Sequence, residues 1–129
     1  RVRRALQTPA MTVVTGVGIA GHLMARLETA NCAAALSLQE IPVYPGAWDL
    51  SRQGVRSTRW PAKAAIDKRM AHTPSALSEL LFDPQTAGGL LATIPASAID
   101  EVVASFREAG EPIAVIGSIL DGAPFITVL

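Results

Sequence analysis

The sequence predicts a mixed α/β (α+β) fold, with helices packed on a mixed sheet. Short apolar or β-branched runs alternate with segments of helical periodicity, and glycine and proline punctuate the joins. Half of the 129 residues are hydrophobic and 17% are charged, so the chain can bury a core and does not read as disordered. Residues 1–129 make one domain, with no internal repeat or low-complexity segment.

The elements follow in order. Residues 2–7 read as the end of a helix that Pro9 stops. "MTVVT" (11–15) has the β-branched content of a short strand. Glycines then turn the chain into a helix from Gly18 to Ala30, with Ile19, Leu23, Leu27 and Ala30 on one face. Asn31 tolerates left-handed geometry and is the expected stop. "AAALSL" (33–38) reads as a buried strand. Pro42, Pro45 and Gly46 mark a loop before a short helix, "GAWDLSRQ", ended by Gly54. Helices are expected over 62–71 and over 74–82, the second with Pro74 near its first turn.

"DPQTAGG" (83–89) is a loop that leads into the strand "LLATI" (90–94). Residues 95–110 give the clearest helix. Pro95 starts it, Ile99, Val102, Val103 and Phe106 form its stripe, and Gly110 stops it. "IAVIGSIL" (113–120) and "FITVL" (125–129) read as strands, joined through Asp121-Gly122 as a hairpin.

Composition excludes several functions. Eleven basic residues balance eleven acidic ones, which argues against nucleic acid or an anionic membrane as partner. Three of the arginines, Arg1, Arg3 and Arg4, open the chain and read as a solvated terminus. No apolar run reaches the roughly 18 residues that a spanning helix needs. The single cysteine, Cys32, rules out an internal disulfide and a cysteine zinc site, and it suits a reducing, cytoplasmic setting. The chain begins R-V-R-R, with neither an initiator Met nor a signal-peptide pattern, so a fragment of a longer protein is expected.

Two glycine loops carry whatever chemistry the sequence has. "TVVTGVGIAGHL" offers Thr15 as a hydroxyl, Gly16 and Gly18 at a turn, and a helix behind them. Backbone N–H groups at such a turn can cradle phosphate. Gly16, Gly18 and Gly21 also spell the dinucleotide fingerprint. The acid expected about 20 residues on is missing, however, with Glu40 the nearest. Pattern alone leaves phosphate contact and a purely structural turn both open.

The second loop, "FDPQTAGGLL", sets Asp83, Gln85 and Thr86 beside Gly88 and Gly89. Those side chains either cap the turn or face a ligand. His22 reads as a satisfied core or surface histidine rather than a base. His72 has no evident partner, and Trp48 and Trp60 read as packing anchors. "DKR" (67–69) reads as a solvated face.

Together the loops resemble one family. "TVVTGVGIAGHL" is similar to the T-D-V-T-G-F-G-L-x-G-H-L segment of selenophosphate synthetase (selenide, water dikinase), and "LLFDPQTAGGLLATIP" to its L-x-F-D-P-Q-T-S-G-G-L-L segment. "IPVYPGAWDLSRQGV" and "EAGEPIAVIGSI" resemble two further motifs of that family. The matches run in order over roughly residues 11 to 120. The glycine motif is shared more loosely with aminoimidazole ribonucleotide synthetase and thiamine-monophosphate kinase.

The resemblance implies a C-terminal domain of the aminoimidazole ribonucleotide synthetase-like superfamily, whose N-terminal ATP-binding, catalytic domain is absent from this chain. The family makes selenophosphate from selenide and ATP, with ATP and magnesium held between its two domains. Thr15, Gly16, Gly18, Gly21, Asp83, Gln85, Thr86, Gly88 and Gly89 match its motifs and are implied to face the ATP phosphates. His22 matches the motif histidine. The reactive cysteine or selenocysteine lies in the absent domain, so Cys32 does not take that role and the isolated fragment is expected to be inactive. Partners implied for the parent are its own N-terminal domain, a second copy as a homodimer, and, in some family copies, a fused flavin-type oxidoreductase.

Two departures bear on the chemistry. Val13 stands where the family has a magnesium-binding Asp, and valine offers a hard cation no oxygen. The family's Asn after Gly54 is missing, with Lys63 near its place. Three readings follow: a working synthetase, a degenerate domain that binds nucleotide or a partner without catalysis, or another ATP-dependent member of the superfamily.

Overall fold

The computed structural model describes residues 10–58 and 63–129. The helix expected at 2–7, the arginine cluster and Trp60 lie outside them.

A four-stranded mixed sheet carries the core. Its order is β3 (Met70–Ala71), β6 (Ile126–Val128), β2 (Ala33–Leu36), β5 (Gly117–Leu120). β2 runs parallel to β6 and antiparallel to β5, and β3 runs parallel to β6. A separate antiparallel ribbon pairs β1 (Met11–Val13) with β4 (Leu90–Ala92), Val13 opposite Leu90. The mixed α/β architecture is therefore as the sequence predicts.

The helix α1 (Gly18–Ala30) has the predicted bounds, and Asn31 closes it in the left-handed region at φ 51°. Leu23, Met24 and Leu27 are buried against Ala34, Leu36, Ile126 and Met70 of the sheet. Each such aliphatic side chain contributes about 1.5–3 kcal/mol on burial. Leu81 and Phe82, on a 3-10 turn (Leu80–Phe82), complete this core.

The middle of the chain is less helical than expected. The predicted 62–71 helix resolves into α3 (Lys63–Asp67) followed by β3. The predicted 74–82 helix becomes α4 (Ala76–Glu79) and the 3-10 turn. Its cap is Ser75, directly after Pro74. The Ser75 hydroxyl accepts the Ser78 amide while the Ser78 hydroxyl accepts the Ser75 amide, which satisfies two helix-end donors reciprocally. The short helix α2 (Ala47–Arg52) forms as expected, but Trp48 on it is 53% exposed rather than buried as a packing anchor. The late helix α5 (Ile99–Glu108) buries Val102, with Asp100 and Glu101 in its first turn and Arg107 in its last, which matches the helix dipole.

The expected terminal hairpin does not form. β5 and β6 lie on opposite edges of β2. β2 is an apolar strand whose Ala34 and Leu36 are almost fully buried, and a central place satisfies its backbone on both sides. A hairpin would have left it at an edge. Residues 121–125 instead cross the start of β2.

Candidate functional site

The ribbon β1–β4 brings the two glycine loops together. Beyond Val13 the ladder continues for one more residue. Val14 donates its N–H to the Gly89 carbonyl at 3.0 Å and accepts from Gly88 N–H at 3.0 Å. Two glycines thus face one valine, a bulge that bends the second loop over the first. Gln85 N–H then donates to the Thr15 carbonyl at 3.0 Å. Residues 70 positions apart in the chain therefore form one hydrogen-bonded surface.

The glycines are required by close approach. A Cβ on Gly88 would stand 2.4 Å from the Val14 carbonyl oxygen. Gly18 has φ +67°, and a Cβ there would lie 2.6 Å from the Leu81 carbonyl oxygen and 2.8 Å from the Phe82 carbonyl carbon. The start of α1 is thereby pressed against the chain that enters the second loop. Gly21 sits inside α1, where Val17 and Ile66 fill the space that a Cβ would take. Its place is one of packing beside the loops rather than on their surface.

The polar side chains divide. Asp83 is occupied within its own loop, its carboxylate accepting from Gln85 Nε2 at 3.1 Å. Thr86 and Gly89 are exposed, as is Ala87 between them and Gly88. Among the described residues no hydrogen bond ties the Thr86 or Ala87 backbone N–H. No side chain caps α1, whose N-cap is Val17, and no acidic residue lies in its first turn. The surface thus offers backbone donors and a helix N-terminus, with the Asp83 carboxylate turned to the Gln85 side-chain amide.

His22 belongs to this surface too. Its Nε2 lies 3.0 Å from Thr15 N and 2.9 Å from Thr15 Oγ1. Spacing in the sequence gave no sign of it, because the contact depends on how the turn folds back onto the first turns of α1.

Beneath the second loop, Phe82 is held by charged neighbours. Lys63 Nζ stands 4.9 Å from the ring centroid, and the His72 ring 6.1 Å from it. Lys63 bonds Glu79 Oε1 at 2.7 Å with both side chains 12% exposed, and Arg56 Nε lies 3.9 Å from Glu79 Oε2. His72 Nε2 meets Asp67 Oδ1 at 2.7 Å, while its Nδ1 is buried without a partner. Arg69 pairs with Glu28. The charges of "DKR" are therefore partly engaged, and His72 has a partner after all.

A family model described as AIR synthase related protein, C-terminal domain, matches residues 5–128. The chain belongs to that family. Among its relatives are proteins named selenide, water dikinase. The one from Dechloromonas aromatica (strain RCB) is 35% identical over 125 residues, 93% of this chain and 36% of that protein. The one from Nitratidesulfovibrio vulgaris (strain DSM 19637 / Miyazaki F) is 30% identical over 128 residues, 96% of this chain and 37% of the relative. The one from Burkholderia ambifaria (strain MC40-6) is 38% identical over 118 residues, 88% and 33%. The chain thus spans about a third of the length of these relatives.

Val13 ends β1 with 45% of its surface exposed beside the paired loops, and it carries no oxygen. Among the described residues no three His, Cys, Asp or Glu side chains could hold a metal together. Among those residues, too, no helix is long and apolar enough to cross a membrane.

Proposed function

We propose that this chain is the C-terminal domain of a selenide, water dikinase, and that its paired loops form one wall of the site for the ATP phosphates. The observation that carries this is the hydrogen-bonded union of Val14 and Thr15 with Gln85, Gly88 and Gly89 beside the uncapped start of α1. Thr86 and Ala87 supply open backbone donors, and Gly88 and Gly89 let a phosphate approach the chain closely. The other wall comes from the parent's N-terminal domain. In support, Met11, Val13 and Leu90 are exposed on one face of the ribbon beside the loops, an apolar surface suited to a covering domain. A reducing, cytoplasmic setting suits the free thiol Cys32. The parent's homodimer and an attached oxidoreductase fall under the same proposal and are read from the mass of the full-length protein.

The test uses Gly89, where an added Cβ meets nothing within 4 Å. Gly89→Asp puts a negative charge on the surface without steric cost. ADP affinity of the full-length protein, measured by calorimetry, falls at least about tenfold while the melting temperature holds. Unchanged affinity overturns the phosphate-facing role.

A second reading has one observation in its favour. Val13 removes an oxygen ligand at the mouth of the site, as in a domain that keeps nucleotide or partner binding without dikinase turnover. Selenophosphate formation by the full-length protein excludes that reading.

A further inference from the structure

We infer that His22 is a positioning residue that takes both hydrogens of Thr15, so that Thr15 joins the two loops and leaves phosphate contact to the second loop. The inference rests on the phosphate-wall reading for its ligand but not for its geometry.

The argument starts from the backbone amide. Thr15 N–H can only donate, and it lies 3.0 Å from His22 Nε2. Nε2 must therefore present its lone pair, which puts the proton of the neutral ring on Nδ1. The Thr15 hydroxyl oxygen is 2.9 Å from the same nitrogen. Two lone pairs facing each other at that distance would repel, so the hydroxyl hydrogen also points to Nε2. Neither Thr15 hydrogen is then free to meet a phosphate oxygen.

Thr15 is pinned from its other side as well. Its carbonyl accepts from Gly18 N–H at 3.1 Å and from Gln85 N–H at 3.0 Å. Gln85 in turn donates its side-chain amide to Asp83 at 3.1 Å. An unbroken chain of hydrogen bonds runs from His22 on α1 through Thr15 to both ends of the "DPQ" segment. A change at His22 therefore reaches Thr86 and Ala87 without touching them. Phosphate contact falls to those two residues and to Gly88 and Gly89, where the backbone is exposed or nearly so.

The experiment uses the full-length protein with His22→Leu and His22→Gln. Leucine keeps bulk and removes the acceptor, whereas glutamine carries a carbonyl oxygen near the place of Nε2. Hydrogen exchange by mass spectrometry follows peptides covering 11–23 and 83–90, and calorimetry follows ADP. In His22→Leu, exchange in both peptides rises and ADP affinity falls, each about tenfold, the equivalent of one lost hydrogen bond. His22→Gln restores both to within about threefold. In the unmutated protein the nitrogen NMR signals of His22 show Nδ1 protonated and Nε2 bare. That measurement stands even where His22→Leu fails to fold.

A protonated Nε2 overturns the inference, as does exchange in 83–90 that ignores His22→Leu. If exchange and tautomer follow the expectation but ADP does not bind at all, the positioning holds and the phosphate wall fails.

Discussion

Gly88 and Val14 approach more closely than any other residue type at position 88 would allow. The Val14 carbonyl oxygen accepts the Gly88 N–H at 3.0 Å and lies 2.4 Å from where a Cβ on Gly88 would stand. Neither partner is the far end of a flexible side chain, so backbone must move. Gly88→Ala is expected to cost about 2–4 kcal/mol, from overpacking plus the weakened Val14 hydrogen bonds. A fall in the urea midpoint with an unchanged slope checks it. Gly89→Ala, one residue on and sterically open, is the control and leaves the midpoint within error.

This junction shows what the sequence could reveal and what it could not. Local periodicity found α1 with its bounds, because Leu23 and Leu27 recur at helical spacing and Asn31 accepts φ 51°. The two loops stood out by composition. Their union did not, since Gln85 and Thr15 meet only through the pairing of strands far apart in the chain. The terminal strands misled for the same reason. Asp121-Gly122 has hairpin chemistry, yet β2 claims the space between β5 and β6. Among the helices, Met70 and Ala71 leave the helical run after Asp67 because β6 offers them a parallel partner. His22 is a hydrogen-bonded histidine, as its reading as a satisfied side chain rather than a base implies, but its partner, Thr15 of the loop itself, was not legible in the sequence.

Lys63 and Glu79 form the charged seat of Phe82, and through Phe82 that of the second loop. Their 2.7 Å contact is largely shielded from water, with both side chains 12% exposed. Removing one partner weakens the match of a largely buried charge, although Glu79 keeps its 3.9 Å contact with Arg56. Glu79→Gln and Lys63→Met are each expected to lower stability by about 2–4 kcal/mol. The double variant loses less than the sum of the two, because the 2.7 Å contact can be lost only once, with Arg56 the cation that remains beside position 79. A double-mutant cycle on the unfolding free energy measures the coupling, expected at about 1.5–3 kcal/mol. Strict additivity would show that the pair contributes nothing as a pair.

Val13 is the position at which the metal side of the proposed function can be tested. It is 45% exposed, sits at the end of β1 opposite Leu90, and is followed directly by the Val14–Gly88 junction. An aspartate there is not forced into the core, so Val13→Asp should cost no more than about 1 kcal/mol, the loss of strand propensity. Its carboxylate would add a hard oxygen ligand at the edge of the surface that faces phosphate in the proposed arrangement. In the full-length protein the variant is expected to bind ADP more tightly with magnesium than without it, by a larger factor than the unmutated protein shows. Calorimetry with and without chelator reads both factors. Equal magnesium dependence in the two proteins would mean that the valine position does not reach the metal. The polar set needed for turnover would then have to come from residues outside this domain.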